Sequence, residues 1–375
     1  MVDLALKTLL HDRVRFLITV AGVAFAVMLV FVQGGLFLGL LDNASVTIDH
    51  IDADLWVTSR NTPNVDFAHN FPESRVYRVR SVPGVARADN LIVWFMNVTL
   101  PSGAQESSVA YALEDFEAWN LPWRVLEGRL ADLRRGRYVF LDEWATRRMG
   151  PFRVGEYREV NGERLKIIGR TTEALSFTTT PVSFMDYGVA QSLVAANFRD
   201  QTSYVLVKLG PGADLQAVRT EIQRRLPYND VYTKAEWSAR SRNYWIVSTG
   251  IGLNSGLTVF LGCLIGVVVV AQTLYTSTME HLKEFGTVKA IGGSNSDIYR
   301  ILIKQASIAA LVGFVLGVLP SLAMRPVMTG LGLKLIIPPL LVVFVFVGTA
   351  VLCLGASMVS FRKVASIDPA LVFRT

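Results

Sequence analysis

Polar positions all but vanish in four stretches of the chain and return between them. Phe16–Leu41 carries one strongly polar side chain, Gln33, in 26 residues. As a helix rising ~1.5 Å per residue it spans roughly 39 Å, enough to cross a ~30 Å hydrocarbon core with some tilt. Ile246–Thr278, Ala306–Met324 and Pro338–Val359 share this character. Ile246–Thr278 would make a continuous helix of about 50 Å, longer than the core, so its start bearing Ser248, Asn254 and Ser255 is expected to stand clear of the lipid as a stalk. A cleaved signal peptide has an apolar core of about 7–15 residues followed by a small-x-small site. Phe16–Leu41 is longer and no such site precedes Asp42, so this first helix is expected to be retained.

Between the first two stretches the period changes. Ala53–Ser59, Leu91–Leu100, Ser108–Leu113, Tyr138–Leu141 and Ser203–Leu209 are short, rich in β-branched and aromatic residues, and predict strands. Asn161-Gly162, between Glu156–Val160 and Arg164–Ile168, predicts a tight hairpin. Ser74–Val82 predicts a short helix stopped at Pro83-Gly84, and Glu143–Met149 another. Leu215, Val218, Ile222 and Leu226 fall at helical spacing, and Asp230–Tyr232 predicts a closing strand. The order β, α, β, β early and β, α, β late suggests one subdomain built from residues 42–115 and 201–245, with a second, 116–200, inserted. The expected fold class is an α-helical membrane protein: four transmembrane helices plus a mixed α/β (α+β) extracytoplasmic domain between helices 1 and 2. The parts are residues 1–41 with the first helix, the outer domain 42–245, the second helix and stalk 246–279, a cytoplasmic segment 280–300, helices at 301–325 and 338–359, and a tail 360–375.

Charge sets the orientation. The chain is 51% hydrophobic and 18% charged, with 37 basic against 31 acidic side chains. Residues 42–245 hold 25 of each sign, so the net +6 lies in the two ends. A uniformly basic nucleic-acid-binding surface is therefore excluded, and no nucleic acid partner is expected. Lys7, Arg13 and Arg15, then Lys283, Lys289, Arg300 and Lys304, then Arg362, Lys363 and Arg374 crowd three stretches that four spans place on one side of the bilayer. By the positive-inside rule these face the cytoplasm. Both termini are then cytoplasmic, and residues 42–245 lie outside, periplasmic for a multi-pass protein of the inner membrane.

Candidate chemistry is sparse. The sequence contains no GxxxxGK[ST] phosphate loop, no CxxC and no HExxH. No enzymatic activity, metal site or directly bound cofactor is expected. Cys263 and Cys353 fall inside predicted helices, as packing residues. His50 and His69 lie in the outer block and His11 and His281 on the inner side, none beside a nucleophile elbow. Four GxxxG pairs, Gly35/Gly39, Gly252/Gly256, Gly262/Gly266 and Gly313/Gly317, let helix backbones approach closely. They serve packing within one chain or, through the first two helices, dimerisation. Met279–Lys289 continues the second helix as an amphipathic piece, Gly292-Gly293 breaks it, and Ser294-x-x-Asp297 supplies a capping box for the next helix.

That stretch carries a resemblance. Glu280–Ser294 (EHLKEFGTVKAIGGS) resembles the signature R-E-I-G-x-x-[KR]-A-[IL]-G-A of the FtsX-like/MacB-type ABC transporter permeases, with Phe285 in place of Ile and Gly293 in place of Ala. Arg362–Arg374 (RKVASIDPALVFR) similarly resembles the family's terminal A-x-x-x-P-x-x-A-L-R, with Val-Phe where Ala-Leu is usual. Arg13–Gly34 and His50–Thr58 are similar to the DevC-type subgroup, which lacks a fused ATPase. Val82–Val85, Gly155–Gly169 and Leu209–Asp214 resemble the MacB-type periplasmic domain.

The resemblance implies the permease subunit of an ABC exporter. ATP and Mg would be bound by two copies of a separate ABC ATPase, which would meet Glu280, Lys283, Glu284, Phe285, Gly286, Lys289, Ala290, Ile291 and Gly292. The tail motif contributes Arg362, Pro369 and Arg374. A second permease copy, most simply a homodimer, would pack through Gly35, Gly39, Gly252, Gly256, Gly262 and Gly266. DevC-like systems add a periplasmic adaptor (membrane fusion) protein and a TolC-like outer-membrane channel. Closure of the ATPases would be passed to the periplasmic domain by mechanotransmission, driving efflux or envelope export. The alternative is an FtsX-like, non-transporting transmitter controlling periplasmic cell-wall hydrolases, whose outer domain is typically smaller.

Overall fold

A computed structural model describes residues 13–177, 180–194, 199–280 and 294–365. The chain forms two compact units, Leu40–Ile251 and the remainder, Met1–Gly39 with Gly252–Thr375. The described residues open with helix α1 (Arg13–Asn43). The outer unit then runs through α2 (Val46–His50), β1 (Leu55–Ser59), α3 (Arg75–Arg80), β2 (Val85–Thr99), β3 (Gln105–Leu113), β4 (Val125–Glu127), β5 (Tyr138–Asp142) and α4 (Ala145–Met149). It continues with β6 (Tyr157–Val160), β7 (Glu163–Thr171), β8 (Val182–Asp186), α5 (Tyr187–Ser192), β9 (Tyr204–Leu209), α6 (Leu215–Arg225), β10 (Asn229–Thr233) and α7 (Lys234–Asn243). The described residues close with α8 (Ile251–Glu280), α9 (Asn295–Ala323), α10 (Arg325–Gly330) and α11 (Pro339–Ala365).

Among the described residues, four helical stretches are long and apolar enough to cross a membrane: Phe16–Asn43, Ile251–Thr273, Tyr299–Gly330 and Pro339–Met358. Val23, Val27 and Phe31 of α1 form the centre of this bundle with Val270, Ala306, Ala310, Val345 and Cys353. Leu257, Phe260, Leu264, Leu316, Phe344 and Val351 stay exposed, as lipid-facing side chains must. Glycine makes the close contacts, because small residues are what let membrane helices approach. A Cβ on Gly317 would meet the Ala24 carbonyl and Val27, and one on Gly313 would meet Val23, so α9 lies directly on α1.

The second membrane helix is shorter than its apolar run. It begins at Ile251, not Ile246: Tyr244–Ser248 forms a π-helical turn, and Gly250 adopts φ +72°. That left-handed conformation is open to glycine and costly for other residues, so one helix ends there and the next begins. Ser248 therefore lies outside α8, while Asn254 and Ser255 lie within it. The Ser255 hydroxyl oxygen accepts a 3.5 Å hydrogen bond from Gln33 Nε2, a polar link between α8 and α1.

The outer unit is built on a ten-stranded sheet in the order β10-β1-β9-β2-β3-β8-β5-β7-β4, with β6 pairing both β2 and β7. The first four strands, all antiparallel neighbours, carry α3 and α6 in a split βαβ arrangement. Leu55, Val57, Val205 and Val207 from the strands meet Val76, Val79, Val218 and Ile222 from those helices. Asp214 caps α6 by accepting from Gln216 N–H. Because β6 reaches back to the far end of β2, strands β2, β3, β8, β5, β7 and β6 return on themselves as a ring. Its hairpin β6–β7 turns at Asn161 (φ 48°) and Gly162 (φ 84°), the two positive φ values that a type I′ turn requires. The strand β8 and the helices α5 and α7 were not among the sequence expectations.

Candidate functional site

The segment expected to meet the ATPase lies in the chain between two described helix ends. Glu280 is the last residue of α8 and is exposed. Lys283, Glu284, Phe285, Gly286, Lys289, Ala290, Ile291 and Gly292 lie outside the described residues. On the far side the capping box forms as its spacing predicts. Ser294 Oγ accepts from Asp297 N–H at 3.3 Å, and Asp297 Oδ2 accepts from Ser294 N–H at 2.9 Å. Two orphan amides are satisfied reciprocally, so α9 starts sharply at Asn295. In the tail motif Arg362 falls within α11, while Pro369 and Arg374 lie outside the described residues.

The glycines singled out as packing positions divide. A Cβ on Gly39 would overlap the Lys334 carbonyl, and one on Gly35 would meet Leu335 and the Ile336 carbonyl. Ile336 N–H donates to Gly35 O at 3.1 Å, so this pair seats the connection before α11 against α1. Gly262 faces Leu29 and Gly266 faces Ala26, both on α1. Gly256 has nothing within 4 Å of its would-be Cβ. Gly252 lies in the first turn of α8.

In the outer unit the charged side chains make structural pairs. Asp89 accepts from Arg80 Nη2 at 2.9 Å, Arg87 Nε at 2.6 Å and Trp119 Nε1 at 2.9 Å, tying β2 to α3 and to the short 3-10 turn Glu117–Trp119 after β3. Asp142 accepts from Trp144 N–H, Thr171 Oγ1 and Ala174 N–H, while burial pushes its carboxyl up to about 6. His50 takes Val46 O as a 2.8 Å partner through Nδ1 and stacks on Trp123 at 4.3 Å. His69 is exposed. Among the described residues no three His, Cys, Asp or Glu side chains gather as a metal site.

Asp66 is the residue that the sequence did not single out. Burial pushes its carboxyl up to about 7, with the Phe177 N–H pulling the other way. In the sequence it is one acid in a short polar loop, Asn64–Asn70, with no periodic signal around it.

Comparison with known proteins bears on the whole chain. The profile of the MacB-like periplasmic core domain matches residues 16–225, and that of the FtsX-like permease C-terminal matches residues 256–369. The chain is 25% identical over 375 residues to an uncharacterised ABC transporter permease of Mycobacterium bovis, covering 98% of each. It is 18% identical over 360 residues to one of Methanocaldococcus jannaschii, covering 89% of this chain and 86% of that one. The solved periplasmic region of MacB from Actinobacillus actinomycetemcomitans superposes with a TM-score of 0.39 and 11% identity, over 50% of this chain and 92% of that one. Since the first profile alone spans more than half of the residues and the second covers the three later membrane helices, this chain belongs to the MacB/FtsX-type ABC transporter permeases, multi-pass membrane subunits that work with a partner ATPase.

Proposed function

We propose that the chain is the permease of a DevC-like exporter, working as a homodimer in the inner membrane with cytoplasmic termini. Two copies of an ABC ATPase supply ATP and Mg, and an adaptor protein with a TolC-like channel completes the path outward. The observation that carries this reading is the signature at Glu280–Gly292, which lies in the chain between the second and third membrane helices, directly before the Ser294–Asp297 cap. ATPase closure displaces this segment, and the second helix passes the movement toward the outer domain. Such coupling suits a site that needs no catalytic group of its own.

The test is Glu284→Lys with Gly286→Pro in the reconstituted permease–ATPase complex. ATP hydrolysis is expected to continue while transport stops and the thermal unfolding of the permease is unchanged. Transport at the wild-type rate would overturn the coupling role. Purification from native membranes distinguishes the outputs: an ATPase recovered with an adaptor supports export, an ATPase with a cell-wall hydrolase supports an FtsX-like transmitter, and no ATPase overturns both.

A further inference from the structure

The outer unit holds a cleft of about 540 Å³ between the Asp66–Asn70 segment and the middle of β2, bounded by Asn161. Its wall is aromatic. Phe67 and Phe95 stack with ring centroids 6.0 Å apart and planes at 28°, yet remain 39% and 44% exposed. Beside them Trp94 Nε1 donates to Asn70 Oδ1 at 2.9 Å, and Ser203 Oγ donates to the same oxygen at 3.1 Å. The amide orientation is thereby set, and Asn70 Nδ2 is left without a protein partner among the described residues.

Asp66 also lines the cleft, and it is 3% exposed. Its Oδ2 accepts from Phe177 N–H at 3.3 Å, and Oδ1 has no hydrogen-bond partner among the described residues. The contrast with Asp142 is direct, since that buried carboxyl uses both oxygens on three donors. Among the described residues no Lys or Arg lines the cleft, and His69 is the other titratable group there. A buried carboxyl without a cation is costly in its charged form, and aromatic faces next to it attract positive charge through the ring quadrupole. A mostly apolar cleft with a few convergent polar groups is the usual form of a small-molecule site.

We propose that this cleft binds a small organic cation with an apolar body, its ammonium group against the Asp66 carboxyl and its body on the faces of Phe67 and Phe95. Binding there is independent of whether the complex exports cargo or only transmits force. The test is titration calorimetry of the full-length chain in nanodiscs with benzyltrimethylammonium, and with N-benzylpivalamide as an uncharged ligand of similar shape. Saturable binding of the cation is expected, weakened at least tenfold by Asp66→Asn and by Phe95→Ala, with the amide binding at least tenfold more weakly than the cation. Absence of saturable cation binding, an unchanged affinity in Asp66→Asn, or equal affinity for the uncharged ligand overturns the proposal. Near-UV circular dichroism checks each variant's fold. Should Asp66→Asn not fold, Phe95→Ala decides, because its side chain is exposed: retained affinity overturns the proposal and lost affinity supports it.

Discussion

Asp66 gives the outer unit a pH dependence with a definite sign. Burial raises its carboxyl to about 7 in the native state, whereas in the unfolded chain it titrates near 3.9. Between those values the native state holds a proton that the unfolded state has released, so stability falls as pH rises from about 4 to about 7 and levels off above. Asp142, raised to about 6, adds in the same direction over a narrower window. Asp66→Asn keeps an acceptor for Phe177 N–H and removes the ionisation. We expect it to leave the unfolding midpoint of the outer unit almost unchanged at pH 4 and to raise it at pH 8, by an amount corresponding to roughly 2–4 kcal/mol. Thermal melts of wild type and variant across that range, followed by tryptophan fluorescence, check this. A wild-type midpoint that climbs toward pH 8 would contradict it.

At the scale of elements, the glycines of the membrane helices separate packing from assembly. Gly317 lies against the backbone of Ala24, so Gly317→Leu forces α9 off α1 and is expected to cost at least 1–3 kcal/mol, as overpacking of a filled interface does. Gly256 meets nothing within 4 Å, so Gly256→Leu is expected to leave the melting of the single chain unchanged. Should the homodimer run through α8, the same substitution weakens it. Subunit counting in nanodiscs alongside thermal melts reads both effects. The membrane helices were legible because lipid removes the need for polar residues over a whole span, and the β6–β7 hairpin because Asn161-Gly162 suits one turn type. Strand β8 was not legible. Val182 and Phe184 enter one core while Met185 enters another, so both faces are covered and the alternation is lost. Helix α7 has Trp237 as its one large apolar residue and buries Ser238 and Ser241 with it, leaving no apolar stripe to read. The residues proposed to meet the ATPase were named through family resemblance alone, and all but Glu280 lie outside the described residues. The cleft was not legible at all, because Asp66 and Phe95 become neighbours only when β2 folds back beside the first loop.

In chain order, the outer unit is one insertion between the first membrane helix and the other three. The outer unit joins the rest of the chain at Gly39-Leu40 and Ile251-Gly252, so any covalently transmitted movement passes through two peptide connections. The order of strands imposes a schedule on how that insertion is made. Strand β1 lies between β9 and β10, pairing Leu55 with Val207 on one side and with Thr233 on the other. During synthesis β1 therefore emerges with both edges bare and stays so until residues 204–233 arrive. Nascent chains halted at residue 200 are expected to be cleaved by protease within the outer unit, and the released full-length chain to resist it. Until its last strand is made, the growing outer unit carries open strand edges, and its first strand is the one left bare longest.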